Sequence, residues 1–216
     1  MSGLPFRVLS AAALILTLGA CGSREGELDS SGGIRVARSA CPAVGVPAFT
    51  GDITLFDPPS SREARAIDVT ATITNLRTTC DESGAEVIAT TSFDVQARRR
   101  DSGAARELVL PYFVTIVRGG NVVVAKRVSR VAISFAAGQD RATASAQGSS
   151  NIARSAATLP EDVRLQITRR RKAGQEDAAI DPMTEPGVRA AVARASFELL
   201  VGFQLTPDQL QYNATR

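Results

Sequence analysis

Apolar and polar residues alternate with a period of two along much of the chain. Ile67, Val69, Ala71 and Ile73 interleave with Asp68, Thr70, Thr72 and Thr74. Val87, Ala89, Thr91, Phe93, Val95 and Ala97 form one parity of residues 86–98, with Thr90, Ser92, Asp94, Gln96 and Arg98 on the other. Val163, Leu165 and Ile167 repeat the pattern, as do Phe197, Leu199, Val201, Phe203 and Leu205. Such alternation predicts strands with one face toward a core and one toward water. Residues 108–117 (LVLPYFVTIV) are apolar on both parities, which predicts a central strand. Pro111 within it lacks a ladder donor and calls for an edge stretch or a bulge at that point. Arg118-Gly119-Gly120-Asn121 reads as the turn of a hairpin leading into residues 121–128. Beyond the turn, Val122, Val124 and Val128 are even-numbered, whereas Val131, Ile133 and Phe135 are odd. One face cannot bury both sets, so a bulge or sheet switch is expected near Ser129 and Arg130.

Seven or eight such strands with turn-rich connections predict an all-β chain: a single antiparallel β-sandwich, immunoglobulin-like, spanning residues 41–216. One or two short helices are expected late in the chain. Residues 185–194 (EPGVRAAVAR) have helical composition after Thr184. Thr206-Pro207-Asp208-Gln209 carries a cap, a first-position proline and a reciprocal glutamine. The segment from Gly202 to Tyr212, with Phe203, Leu205, Leu210 and Tyr212, is expected to close the core or to offer a partner surface.

The first residues follow a different pattern. Residues 8–20 (VLSAAALILTLGA) are almost wholly apolar and follow Arg7. A helix of that length spans about 20 Å, short of the ~30 Å of hydrocarbon a membrane helix must cross. It therefore reads as a signal segment. Leu18-Gly19-Ala20-Cys21 resembles the lipobox of bacterial lipoproteins. That resemblance implies a signal peptide over 1–20 and a lipid on Cys21, with the chain held on a membrane by it. Gly22 and Ser23 follow the cysteine, which by the sorting rule of enteric lipoproteins implies the outer membrane, facing the periplasm. Residues 21–40 are polar, rich in Gly and Ser and of mixed charge, and read as a flexible tether.

The chain has three cysteines, Cys21, Cys41 and Cys80. With Cys21 lipidated, Cys41 and Cys80 are free to pair in an oxidising compartment; the alternative is two buried thiols.

Composition narrows the chemistry further. Loss of Arg7 with the signal leaves 24 basic against 22 acidic side chains, a balance that does not favour nucleic acid. Tryptophan and histidine are absent. Without histidine there is no Ser-His-Asp or Cys-His arrangement, and two cysteines do not make a usual zinc set. Lys126 and Lys172 do not lie in an SxxK setting, and no glycine-rich phosphate loop precedes a helix. No catalytic residue, metal or cofactor is therefore expected. Glu176, Asp177 and Asp181 read as a solvated loop before a calcium site. Asn213-Ala214-Thr215 matches a glycosylation sequon that the bacterial signal makes irrelevant.

Two basic runs, Arg98-Arg99-Arg100 and Arg169-Arg170-Arg171-Lys172, stand at the ends of expected strands. Sharing one pole, they would make a cationic patch for anionic headgroups; otherwise they are solvated strand ends.

Residues 38–44 (RSACPAV), Cys80 after a strand, and the LPYFVTIV…VVVAKRV hairpin together resemble a group of small alphaproteobacterial outer-membrane lipoproteins. That group is similar to the F accessory lipoprotein of the β-barrel assembly machinery. The resemblance covers residues 38–135. It implies a non-catalytic scaffold or binding subunit that works with envelope protein partners in outer-membrane protein assembly. The other expectation is a carrier of lipid or another small apolar ligand, for which a hollow interior between the sheets would be needed.

Overall fold

The computed structural model describes residues 39–169, 174 and 180–216. The signal segment, Cys21 and the tether up to residue 38 lie outside the described residues, as do Arg170, Arg171 and Lys172.

The chain forms two four-stranded sheets. β1 (Ala43–Gly45) is followed by β2 (Asp52–Phe56), β3 (Ile67–Asp81) and β4 (Glu86–Arg99). Next come β5 (Arg106–Arg118), β6 (Val122–Phe135), β7 (Arg141–Ala153) and, after a helical stretch, β8 (Phe197–Phe203). One sheet has the order β1-β8-β5-β6 and the other β2-β3-β4-β7. All neighbours are antiparallel except β1 and β8, which run parallel. A mostly-β chain of two sheets with a few short helices is thus as expected, with one parallel pair in place of a wholly antiparallel arrangement.

Inward residues are those the alternation marks. Val69, Ala71 and Ile73 of β3, Phe93, Val95 and Ala97 of β4, and Leu199, Val201 and Phe203 of β8 join one buried cluster with Leu110, Ile133 and Phe135. Phe93 meets Tyr112 edge-on at 5.2 Å, and Tyr112 donates its hydroxyl to the Gln147 carbonyl at 2.9 Å. At Gly148 β7 comes close to the opposite sheet: a Cβ there would stand 2.5 Å from Val114 Cγ2. β3 has its last fully buried residue at Ile73, before a register shift where Asn75 takes a left-handed φ of 57° and donates to Asp94.

β5 is central, between β8 and β6, as its doubly apolar sequence requires. Pro111 is tolerated because β8 ends beside it. Pairing with β8 starts at Tyr112, and the Pro111 carbonyl accepts from Gln204 N at 3.0 Å. A residue in an antiparallel strand turns its nitrogen and oxygen to the same side, so the missing donor faces past the end of β8. The hairpin turn is built on Gly119 and Gly120, with φ of 63° and 81°.

Three expectations are corrected. The alternation at Val163, Leu165 and Ile167 is not a strand but helix α2 (Glu161–Thr168), which follows the single turn α1 (Arg154–Ala157). Glu161 and Asp162 fall in its first turn, where the helix dipole favours acids. Its half-buried face carries Val163 and Ile167, four apart, while Leu165 is exposed. The second correction concerns β6, which shows no bulge at Ser129 and Arg130; these pair consecutively with Tyr112 and Pro111. Its register shifts instead opposite Ile116 and Val117, leaving Val124 without a partner. Third, β1, β2 and β7 were not expected. β7 (RATASAQGSSNIA) is built of small polar residues that leave almost no hydrophobic signature.

The late helices α3 (Pro186–Arg194) and α4 (Pro207–Thr215) match expectation, and α4 opens with a complete capping box between Thr206 and Gln209. Phe203 is fully buried, while Tyr212 packs edge-on against Phe56 at 5.1 Å and Leu210 stays exposed. Asn213 is buried and donates through Nδ2 to the carbonyls of Phe49 and Asp52, both at 2.8 Å. The sequon asparagine thus fastens α4 to β2. Among the described residues, no helix is long and apolar enough to cross a membrane.

Candidate interaction surface

Cys41 and Cys80 are joined by a disulfide with Cα atoms 6.1 Å apart. It ties the entry of the sandwich to the far end of β3, beside Ala89 of β4. The Ala40 amide donates to Glu82 Oε2 at 2.7 Å in the same corner, so two attachments hold the chain where residues 21–40 join it.

Arg98, Arg99 and Arg100 do not meet Arg169, the one residue of the second run among the described residues. Arg98 and Arg141 pair at one end of the β4–β7 ladder, and Glu86 and Ala153 at the other, twelve steps away. At ~3.3 Å per residue those ends are roughly 40 Å apart. Arg98, Arg99 and Arg100 stand at the first. α1 and α2 continue from the second, and α2 is held to the N-terminus of α3 by a Gln166–Glu185 hydrogen bond of 2.7 Å. Arg169 follows α2 and therefore lies at the opposite pole from the first run.

Nor is the first run a free patch. Arg98 pairs with Asp140 at 3.2 Å. Arg99 is only 4% exposed and donates to the carbonyls of Gln139 (2.8 Å), Ala104 (2.7 Å), Ala136 (3.0 Å) and Gly103 (3.4 Å). Its guanidinium also lies over Phe135, 5.2 Å from the ring centre. This side chain clamps the β4–β5 and β6–β7 connections together. Arg98 and Arg100 both remain exposed, so Arg99 is the one of the three withdrawn from solvent.

The same pole is braced by Arg106, which grips both oxygens of Asp68 at 2.8 and 2.7 Å, joining β5 to β3. Those hydrogen bonds hold the Asp68 carboxyl below its usual range, against the opposing effect of its partial burial.

Among the described residues, no group of three or more His, Cys, Asp or Glu side chains could hold a metal ion. Asp181 caps a short turn by accepting from Met183 N at 2.9 Å; Glu176 and Asp177 lie outside the described residues. A surface hollow of about 390 Å³ is lined by Phe56, Arg62, Asp208 and Tyr212 among others. Its charges are already engaged: Arg62 lies 5.2 Å from the Phe56 ring centre and 3.7 Å from Asp208.

The surface that departs most from the rest is β6. All nine residues from Val122 to Arg130 are exposed, including Val122, Val123, Val124 and Val128 at 47–62%. Beside them runs a cleft of about 330 Å³ between β6 and β7, lined by Tyr112, Val114, Arg127, Ser129, Gln147 and Gly148. Among the described residues β6 pairs with β5 alone. Because residue 111 directs its main-chain groups toward β8, its partner Arg130 directs its own N–H and C=O away from β5. Alternation gives Lys126 and Val128, opposite Thr115 and Phe113, the same outward direction. The Phe203 amide, which donates to Thr50 and not to its partner Tyr112, agrees with this phase.

Comparison with protein-family models, curated proteins and solved structures finds no match.

What this surface offers chemically is recognition: outward amides, a row of valines, and the cations Lys126, Arg127 and Arg130. Lys126 folds over the Phe113 ring at 4.8 Å, on the outer face of the sheet. The sequence held the signal, since the valines at 122, 124 and 128 have the wrong parity for the core. The inference that failed was that every apolar set must be buried.

Proposed function

We propose that this chain is a lipid-anchored envelope protein of the outer membrane, facing the periplasm, whose sandwich is a non-catalytic scaffold or binding domain in outer-membrane protein assembly. The observation that carries the proposal is the Cys41–Cys80 disulfide. It uses both cysteines of the folded part, favours an oxidising compartment, and leaves Cys21 as the one thiol for a lipid. An immunoglobulin-like sandwich is the finer fold class we propose, on the grounds of two packed four-stranded sheets. The likeness is one of architecture, two sheets face to face, and the strand order is this chain's own, with β2, β3 and β4 consecutive in one sheet.

A carrier of apolar ligands is the weaker reading. Phe93, Phe135, Phe203, Leu110, Ile133 and Leu199 fill the space between the sheets, each at most 2% exposed.

Intact-mass analysis of the protein extracted from membranes is the direct test. The expected species begins at Cys21, carries diacylglycerol on its sulfur, and has no titratable thiol after denaturation. An unlipidated N-terminus elsewhere would remove the anchor. Affinity capture of the same material should bring down barrel-assembly subunits in fixed proportion; capture with bound lipid and no protein would favour the carrier reading.

A further inference from the structure

We infer that the free edge of β6 is a strand-addition site for an extended segment of a partner protein, carrying two acidic residues flanking an apolar one on the same face. This rests on the reading of the sandwich as a binding domain and names the partner's chemistry.

Main-chain geometry comes first. Lys126, Val128 and Arg130 send their N–H and C=O groups outward, and no other described strand pairs with them. An incoming strand would gain ladder hydrogen bonds from these three residues. Natural sheets blunt such edges against self-pairing with proline, a bulge or charged side chains, lysine above all. Here a bulge stands at Val124 and the edge beyond it carries Lys126, Arg127 and Arg130 with no acid, which repels a like edge and admits an acidic one.

Side-chain chemistry then selects the occupant. Lys126, Val128 and Arg130 share the outer face of the sheet, so a paired strand meets a cation, an apolar group and a cation in alternation. β6 and β7 contain no Asp or Glu between them. The complement is an acid, an apolar residue and an acid at alternate positions, which reads the same in parallel and antiparallel addition. The opposite face of the added strand would lie along the cleft beside Arg127 and Ser129, which accepts small or acidic side chains. A second copy of β6 is a poor occupant. Antiparallel pairing about Val128 sets Lys126 opposite Arg130, and like charges directly opposed destabilise a pair.

The test uses the mature lipidated protein in detergent with two short labelled peptides, one centred on Glu-Thr-Val-Thr-Glu and the other on Lys-Thr-Val-Thr-Lys. The acidic peptide should bind and slow amide exchange at Lys126, Val128 and Arg130, while the basic one should not. Val128→Pro removes one outward donor and leaves the β5–β6 ladder intact, because that N–H faces away from β5. It should weaken binding about tenfold, as loss of a hydrogen bond at a fitted edge predicts, with little change in thermal midpoint. The double change Lys126→Glu and Arg130→Glu should reverse the preference between peptides. Undiminished binding by Val128→Pro, equal binding of both peptides, or protection elsewhere would overturn the inference. Self-association abolished by Val128→Pro would overturn it too, by assigning the edge to a second copy. Mass analysis of Cys21 does not depend on these outcomes, so failure of the anchor and failure of the edge are separable.

Discussion

β4 and β6 are both strands of fourteen residues, yet the chain treats them in opposite ways. β4 lies between β3 and β7, and every odd-numbered residue from Val87 to Arg99 is buried. Among the described residues β6 pairs on one side only, and it buries nothing until Val131. Composition does not separate them, since the exposed half of β6 holds four valines and an alanine. Position does. A strand with neighbours on both sides and a sheet across from it must present one parity to the core. A strand that overhangs the sandwich edge is under no such demand, and there its apolar residues are available to something else.

The comparison can be broken most strongly at Phe93. It is 1% exposed and packs on Tyr112, so Phe93→Ala should cost about 3–5 kcal/mol in chemical denaturation. Val128→Ala, a truncation in the exposed half of β6, should lie within about 0.5 kcal/mol of the parent. Comparable losses at the two sites would mean that the open half of β6 is covered in solution.

Arg99 tests the end of β4. Replacement by methionine keeps much of the aliphatic bulk but strips hydrogen bonds from the carbonyls of Gln139, Ala104, Ala136 and Gly103. The expected loss is about 2 kcal/mol, with faster amide exchange in the two connections it clamps. Arg100→Met, one residue further and exposed, should change neither.

How this pattern was legible in the sequence varies by element. β3, β4, β5 and β8 were readable because burial on one or both faces imposes a parity that single residues display. α4 was readable because its capping box is local chemistry. β7 was not, since it packs through Gly148 and small residues, and close approach between sheets selects for absence of side chain. α2 was misread because three apolar residues at alternate positions also place two of them four apart, and only tertiary contact decides between the periods. The arginine run concealed a buried member: nothing in three consecutive arginines says that the middle one will meet four carbonyls. Cys41 and Cys80 were legible as a pair, whereas the β6 edge could be seen only once the partners of each strand were known.

Asp68 gives a subtler probe of the pole where β4 ends. Its carboxyl is held below its usual range by Arg106, so the folded state binds its proton less readily than the unfolded chain does. The stabilisation is therefore fully present above the ordinary carboxylate pKa of about 4 and disappears as pH falls through the lower folded-state value. Thermal midpoints of the parent and Asp68→Asn should differ at neutral pH and converge in acid. The gap should also be modest, because the pair is partly exposed to solvent. A constant gap across that range would mean that the ion pair is not the source of the difference.

The smallest expected effect falls on β6 itself. Val123 and Val128 are 62% and 57% exposed, and threonine keeps their β-branched shape while adding a hydroxyl that water can reach. Converting both should leave unfolding free energy within about 0.5 kcal/mol of the parent. The same two changes at Val87 and Val95, both fully buried on β4, would place hydroxyls without partners in the core at about 1–3 kcal/mol each. The pair of double mutants thus measures the difference between the strands with chemistry and shape held constant. If the valines of β6 serve recognition, their threonine forms should also lose partner binding while keeping the fold. That combination is the reverse of what the β4 changes should do, where any loss of binding follows loss of the folded state.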